Sequence, residues 1–148
     1  MPEEQLVTFG LGSEEFGVDI MLVQEIIRIP PITRVPKAPS FVEGVINLRG
    51  NVITVVSLRN RFGMEHAEET DLSRIIVLEV NNKVFGIRVD AVTEVLRLEE
   101  DAIEPPPSVA MGVDSHYIRG VGKIGDRLLI LLDLEHIMGG EMSHESGN

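Results

Sequence analysis

The sequence predicts a mainly β protein, built as two tandem five-stranded small β-barrels that arose by internal duplication, share a hydrophobic core and carry short helices. Three observations predict it. Residues 6–29, LVTFGLGSEEFGVDIMLVQEIIRI, align without a gap on residues 75–98, IIVLEVNNKVFGIRVDAVTEVLRL, at an offset of 69. Residues 41–63, FVEGVINLRGNVITVVSLRNRFG, resemble residues 117–139, YIRGVGKIGDRLLILLDLEHIMG, in the same order along the chain. The apolar runs are short, rich in Val, Ile and Leu, and punctuated by Gly, Asn, Ser and Pro, the pattern of strands joined by turns.

Taken in chain order, Leu6–Leu11 is a strand that ends at the turn signal Gly12-Ser13, and Glu15–Ile20 returns from it as a hairpin. A helical turn around Met21–Val23 leads into a third strand, Gln24–Ile29. The stretch PPITRVPKAP cannot be an interior strand, because proline has no N–H to give to a ladder. Val42–Leu48 and Val52–Ser57 form a hairpin around Arg49-Gly50-Asn51, and a short helix at Leu58–Phe62 stops at Gly63. The polar, acidic residues 64–73 read as a linker. The second half repeats these parts: Ile75–Val80, the turn Asn81-Asn82, Val84–Val89, Thr93–Leu98, the proline-rich IEPPPSV, the hairpin Ile118–Ile124 and Arg127–Leu132, and a helix at Leu134–Met138 with Gly139 as its stop. The turn dipeptides Gly50-Asn51 and Gly125-Asp126 fall one residue out of register, which a change in hairpin loop length would produce. The chain thus reads as one domain over 1–148, with a first barrel at 5–63, a second at 74–140 and a frayed tail at 141–148. Ten short strands in two sets of five imply closed barrels, since closure removes sticky edges. Each barrel is too small to hold a sufficient core, so a shared apolar seam is expected, with strand exchange across it possible. Phe16 and Phe85 should be equivalent and buried.

Composition narrows the function. The 148 residues are 43% apolar but include only five Phe, one Tyr and no Trp, so the core is mainly aliphatic. There is no cysteine, which excludes disulfides, zinc thiolate sites and a cysteine nucleophile. The start MPEEQLVTF is not a signal peptide, and no apolar run approaches the roughly 20 residues of a spanning helix. A net charge of −11 opposes nucleic-acid binding. The charge is uneven: residues 28–61 hold six basic residues (Arg28, Arg34, Lys37, Arg49, Arg59, Arg61) and one acid, Glu43. Either this is charge scattered for solubility, or it is a basic face that meets an acidic protein partner.

No catalytic pattern emerges. GVGKIG, Gly120 to Gly125, matches the dinucleotide fingerprint, but a strand follows it where a helix N-terminus is needed to hold pyrophosphate. His66, His116, His136 and His144 lack metal-ligand spacing. The acids Glu14-Glu15 and Glu99-Glu100-Asp101 fall at turns, as solvated carboxylates do. There is no nucleophile elbow and no phosphate-binding loop. Methionines such as Met21, Met64 and Met111 read as gap-filling core residues. These observations expect no enzyme activity, no cofactor and no metal, and leave a docking module. A nucleic-acid or small-ligand binding β-barrel is the alternative.

The segments LVTFGLGSEEFGVDIMLVQEI, FVEGVINLRGNVITVVSLR and YIRGVGKIGDRLLILLDLE resemble the CheW-like chemotaxis coupling proteins over about residues 5–140. The resemblance implies a two-barrel adaptor without catalysis that links the CheA histidine kinase, through its regulatory domain, to the cytoplasmic tip of methyl-accepting chemoreceptors. It implies a cytoplasmic protein recruited to membrane-associated receptor arrays, with the receptor's helical hairpin tip against a groove near the barrel junction. By position in the motifs it assigns receptor or array contacts to Ile20, Val23 and Glu25 in DIMLVQE and to Arg49 in NLRG, with Gly44 where a small residue is required. It assigns no kinase-binding residues. Arg49 is then a recognition residue at a hairpin tip; read without the resemblance, it is an ordinary solvated turn arginine.

Overall fold

The computed structural model describes residues 2–106 and 115–138. Its strands are β1 (Glu3–Leu11), β2 (Glu14–Asp19), β3 (Val23–Ile27), β4 (Val42–Leu48), β5 (Asn51–Ser57), β6 (Arg74–Val80), β7 (Lys83–Val89), β8 (Ala91–Glu99), β9 (Ile103–Glu104), β10 (Ile118–Ile124) and β11 (Arg127–Leu132). A single-turn helix α1 (Leu58–Arg61) follows β5, and residues 134–138 form α2 after β11. The predicted helical turn is a 3-10 turn at Ile20–Leu22, capped by the Asp19 carboxylate, which accepts from the Met21 N–H at 2.9 Å. The predicted stop at Gly139 and the tail lie outside the described residues.

The strands make two sheets, ordered β8-β1-β2-β11-β10-β9 and β3-β6-β7-β5-β4. With β9 set aside, the orders are the same once each strand is matched to its repeat. The pairings agree residue by residue: β2 runs parallel to β11 with Phe16 opposite Ile130, and β7 runs parallel to β5 with Phe85 opposite Thr54. The sheets do not divide at the linker, however. The hairpin β1–β2 completes the sheet of the second half, and the hairpin β6–β7 completes that of the first. The assignment of 5–63 to one barrel and 74–140 to the other is corrected to an exchange of strands. Its cause is local. Asp90 alone separates β7 from β8, too little chain for a hairpin return, and the 3-10 turn carries the chain onward from β2 to β3. Each crossing therefore passes into the other sheet.

The sheets curl without closing into barrels: among the described residues no ladder joins β8 to β9 or β3 to β4. Prolines explain the gaps. Beyond β3 lie Pro30 and Pro31, and beyond β9 lie Pro105 and Pro106, none able to donate to a ladder. A lone bridge, Thr33 to Val45, stands in the first-half sheet where β9 pairs with β10 in the other.

Alternation sorts the apolar side chains into three clusters. Leu6, Leu98, Leu129 and Leu131 fill the inside of the β1-containing sheet. Ile46, Ile53, Val55, Ile75 and Val77 fill the inside of the other. The alternate positions (Val7, Phe9 and Leu11; Ile76, Leu78 and Val80; Ile130 and Leu132) form the shared seam. Strands buried on both faces explain the unbroken runs RIIVLEV and RLLILL. Phe16 and Phe85 both lie buried in the seam, as expected. Through it runs an aromatic row: Phe9 to Phe16 at 5.7 Å, Phe16 to Phe62 at 5.7 Å and Phe62 to Tyr117 at 5.6 Å between ring centroids.

One polar network ties the sheets at their edge. Arg59, in α1, donates from Nε and Nη2 to the two carboxylate oxygens of Asp90, at 3.0 and 2.6 Å. Asp90 also accepts from the Gly12 N–H, in the β1–β2 turn, at 2.8 Å. The Arg59 guanidinium, helped by that N–H, holds the Asp90 carboxyl below its ordinary value of 3.8. A carboxyl whose folded pKa is depressed stabilises the fold fully above its unfolded pKa, and loses that contribution as pH falls through the lower folded value. Asp90→Asn is expected to cost roughly 1–2 kcal/mol at neutral pH. The deficit relative to wild type should shrink as unfolding is followed from pH 5 downward through the region below 3.8. A deficit that does not change with pH would assign the loss to packing.

Candidate functional site

Of the five residues expected at the site, Glu25 and Arg49 are in contact, Ile20 and Val23 lie just before Glu25 in the chain against the seam, and Gly44 lies apart at the other end of β4. Ile20 begins the 3-10 turn, where it and Leu22 are half-buried against the seam. Val23, also half-buried there, opens β3 at an irregularity in its pairing with β6. Glu25 lies two residues further along β3, an edge strand.

Arg49 sits at the tip of the β4–β5 hairpin, whose loop is just Arg49 and Gly50 because Leu48 pairs with Asn51. Both loop residues have positive φ, 51° and 90°, as a type I′ turn requires. Asn47 steadies the turn by accepting from the Gly50 N–H at 2.8 Å. In the repeat the loop is equally long, Gly125 and Asp126, but there glycine takes the first position, with φ 57°. The one-residue shift of the turn glycine is therefore a change of turn type, not of loop length. It leaves Arg49 in a left-handed conformation that costs an L-residue roughly 1 kcal/mol.

The guanidinium of Arg49 reaches across to β3 and grips Glu25 with both terminal nitrogens, Nη1 to Oε1 at 3.2 Å and Nη2 to Oε2. This fork-to-fork pair spans the gap between the sheet edges that no ladder closes. The hydrogen bonds and charge of Arg49 lower the Glu25 pKa, and those of Glu25 raise that of Arg49. Arg49 nonetheless remains 68% exposed. Part of its charge is accessible to a partner, while its direction is set by Glu25.

Gly44 is buried at the other end of β4, with φ 156°. A Cβ there would lie 2.3 Å from the Thr33 carbonyl oxygen. Its lack of a side chain lets the Thr33 segment lie close against β4. Gly120 meets Glu104 in the same way, with its Cβ position 2.9 Å from that carbonyl oxygen.

The duplication exposes residues that sequence reasoning missed. Glu94, the repeat of Glu25, is bound by Arg127 at 2.9 Å, and Arg127 also binds Glu15 at 2.8 Å. Glu15 is thus not a solvated turn acid. Arg127 starts β11, as Asn51 starts β5, so the second arginine hides in a strand and not in a turn. The exposed apolar residues pair in the same way: Ile26 with Val95, and Val52 with Leu128. Met21, read as core, is 84% exposed, because the capped 3-10 turn points it outward. Met64 does pack on the seam, and Met111 lies outside the described residues. Beside the 3-10 turn, at the junction of the sheets, an open cleft is lined by Asp19, Leu22, Val80, Leu132 and Leu134, with Glu4 and Arg119 paired at 2.8 Å on its rim.

Among the described residues no helix is long and apolar enough to cross a membrane. Among the described residues, no three or more His, Asp or Glu side chains are gathered so as to hold a metal ion. His136 makes a 2.8 Å pair with Asp133.

Comparison with known proteins places this geometry. The family model described as CheW-like domain matches residues 5–142. Chemotaxis protein CheW of Rhizobium meliloti is 40% identical over 137 residues, covering 93% of this chain and 88% of that protein. Chemotaxis protein CheW of Klebsiella aerogenes is 38% identical over 138 residues, covering 93% and 83%. The crystal structure of the scaffolding protein TtCheW from Thermoanaerobacter tengcongensis superposes with a TM-score of 0.87 at 37% identity, covering 95% of this chain and 90% of that one. With the match running through both sheets and both hairpins, the chain belongs to the CheW-like domain family.

Proposed function

We propose that the chain is a non-enzymatic adaptor coupling methyl-accepting chemoreceptors to the CheA histidine kinase in bacterial chemotaxis, cytoplasmic and recruited to membrane-associated arrays. What carries the reading is the likeness to chemotaxis CheW proteins over nearly the whole length of both chains. The geometry supports it. A cleft of mixed lining at the sheet junction, with Leu22, Val80, Leu132 and Leu134 as its apolar part and beside the turn that carries Ile20, suits a helical hairpin tip laid into a groove. The Glu25–Arg49 pair supplies a rigid polar mark beside it that fixes register. Gly44 contributes by holding β4 in place.

The test is reconstitution. Purified kinase, receptor cytoplasmic fragment and this protein should together give kinase activity that no pair of them gives. Phosphate transferred stoichiometrically to the isolated protein would refute the adaptor reading. Arg49→Ala should weaken titrated receptor-fragment binding by about thirtyfold or more, the scale of an interface hot spot, with a melting temperature within about 2 °C of wild type. Arg49→Lys keeps the charge but loses the planar fork, so it should rescue only in part. Wild-type binding by Arg49→Ala would make this arginine an ordinary surface residue. A large loss of stability in step with lost binding would make its role structural.

A further inference from the structure

Most of the chain's cations are engaged within the chain, as Arg59 is by Asp90 and Arg127 by Glu15. Arg34 and Lys37 are not: among the described residues neither has an ion pair or hydrogen bond. They stand three residues apart on the exposed proline-rich segment between β3 and β4. Val35-Pro36-Lys37-Ala38 is a turn closed by the Ala38 N–H on the Val35 carbonyl at 3.3 Å. Proline holds its second position, and Lys37, with φ 66°, its third. That is the arrangement of a type II turn, where the third position belongs to glycine or asparagine because a Cβ is strained there. A lysine is kept where the backbone asks for glycine. Strain of this kind points to a use for the side chain.

The surroundings are built as a site. Arg34, Val35, Pro36, Lys37, Pro39 and Val42 line an open cleft. The segment that carries it is tied to β4 just before Arg34, since Thr33 and Val45 exchange both backbone hydrogen bonds at 2.9 and 2.8 Å. Glu43, the acid at its edge, is neutralised by Arg88. Two uncommitted positive charges therefore border a mainly polar cleft in which Val35, Pro36, Pro39 and Val42 form an apolar patch, on a chain whose net charge is −11. We propose that this cleft docks an extended acidic segment of a partner protein, its carboxylates on Arg34 and Lys37 and one apolar side chain against Val35 and Val42. Charge complementarity selects the occupant. A nucleic acid, with a phosphate at every step, meets far more repulsion from the acidic chain than a short segment with few carboxylates and an apolar anchor does. The cleft lies at the opposite end of β4 from Arg49, about 20 Å away for a strand of this length, so it is a surface separate from the one proposed for the receptor.

The test uses the full chain, isotope-labelled, and a blocked octapeptide of alternating glutamate and valine. The peptide should shift the amides of residues 33–43 saturably, and more weakly as salt rises. Its lysine-for-glutamate counterpart should not. Lys37→Gly should weaken binding at least about threefold while melting at or above the wild-type temperature, because the substitution relieves the turn. Arg34→Ser should weaken binding to the same extent. The proposal is overturned by any of four results: no saturable shift at millimolar peptide, shifts centred elsewhere, variants that bind as wild type, or a single-stranded oligonucleotide that occupies the same cleft more tightly.

Discussion

Phe16→Ala should cost about 3–5 kcal/mol, the range for removing a large aromatic from a packed core, and should loosen both sheets in a single transition. Phe16 is fully buried and stacks between Phe9 of its own sheet and Phe62, which follows α1 of the other. The cavity would open in the shared seam, where neither inner cluster can collapse into it. The cooperative part of the expectation follows from the exchange of strands: the sheet containing β2 cannot melt without releasing the chain that continues as β3. Urea unfolding followed by hydrogen exchange separates the outcomes. Protection lost together in β1 and in β6 supports the exchanged seam. A transition confined to the sheet containing β1, with β6 and β7 still protected, would show two sheets that fold independently.

Gly44→Ala should cost roughly 2–4 kcal/mol, combining backbone strain with a clash that cannot be relieved by a rotamer change. The new methyl would meet the Thr33 carbonyl oxygen at 2.3 Å and the Ile32 side chain at 2.7 Å. To make room, Thr33 must leave Val45, breaking the two hydrogen bonds that hold the proline-rich segment on β4. The amides of Thr33 and Val45 should therefore exchange early, and acidic-peptide binding at the neighbouring cleft should fall with them. Gly63→Ala is the control: it too has positive φ, 74°, but no atom lies within 4 Å of the added methyl, so it pays for conformation alone. Equal losses from the two substitutions would rule out the close approach as the cause.

The strands were legible in the sequence because their side chains alternate or run unbroken between turn residues, and the repeat was legible because Phe16-Gly17 and Phe85-Gly86 mark the same place in each copy. The exchange of strands was not. The gapless match of residues 6–29 with 75–98 is the same whether β2 lies beside the β5 or the β11 ribbon, and parallel neighbours leave no turn between them to read. Closure failed for a reason visible only in part: prolines bar a strand, but they do not say which edge they leave open. At the site, Glu25 and Arg49 could be named and an ion pair between them expected, which the structure shows, and the duplication hinted at Glu94. Arg127 escaped notice because its alignment partner is Asn51, so no shared arginine marks it. Gly44 was flagged for its size, and only the Thr33 carbonyl shows what that size accommodates.

The order in which the strands appear along the chain also sets when the protein can fold during its own synthesis. The first sheet to become complete contains β3, β4 and β5 but waits for β6 and β7, so nothing can close before Val89 has left the ribosome. Until then the hairpin β1–β2 has no neighbours, and it stays without a full set until β11, at the far end of the described chain, is made. For most of translation the seam faces of Val7, Phe9, Phe16 and Val56 are therefore open to water and to other nascent chains. The two gene halves, expressed as separate polypeptides, should therefore each remain insoluble alone and recover a folded product only when produced together.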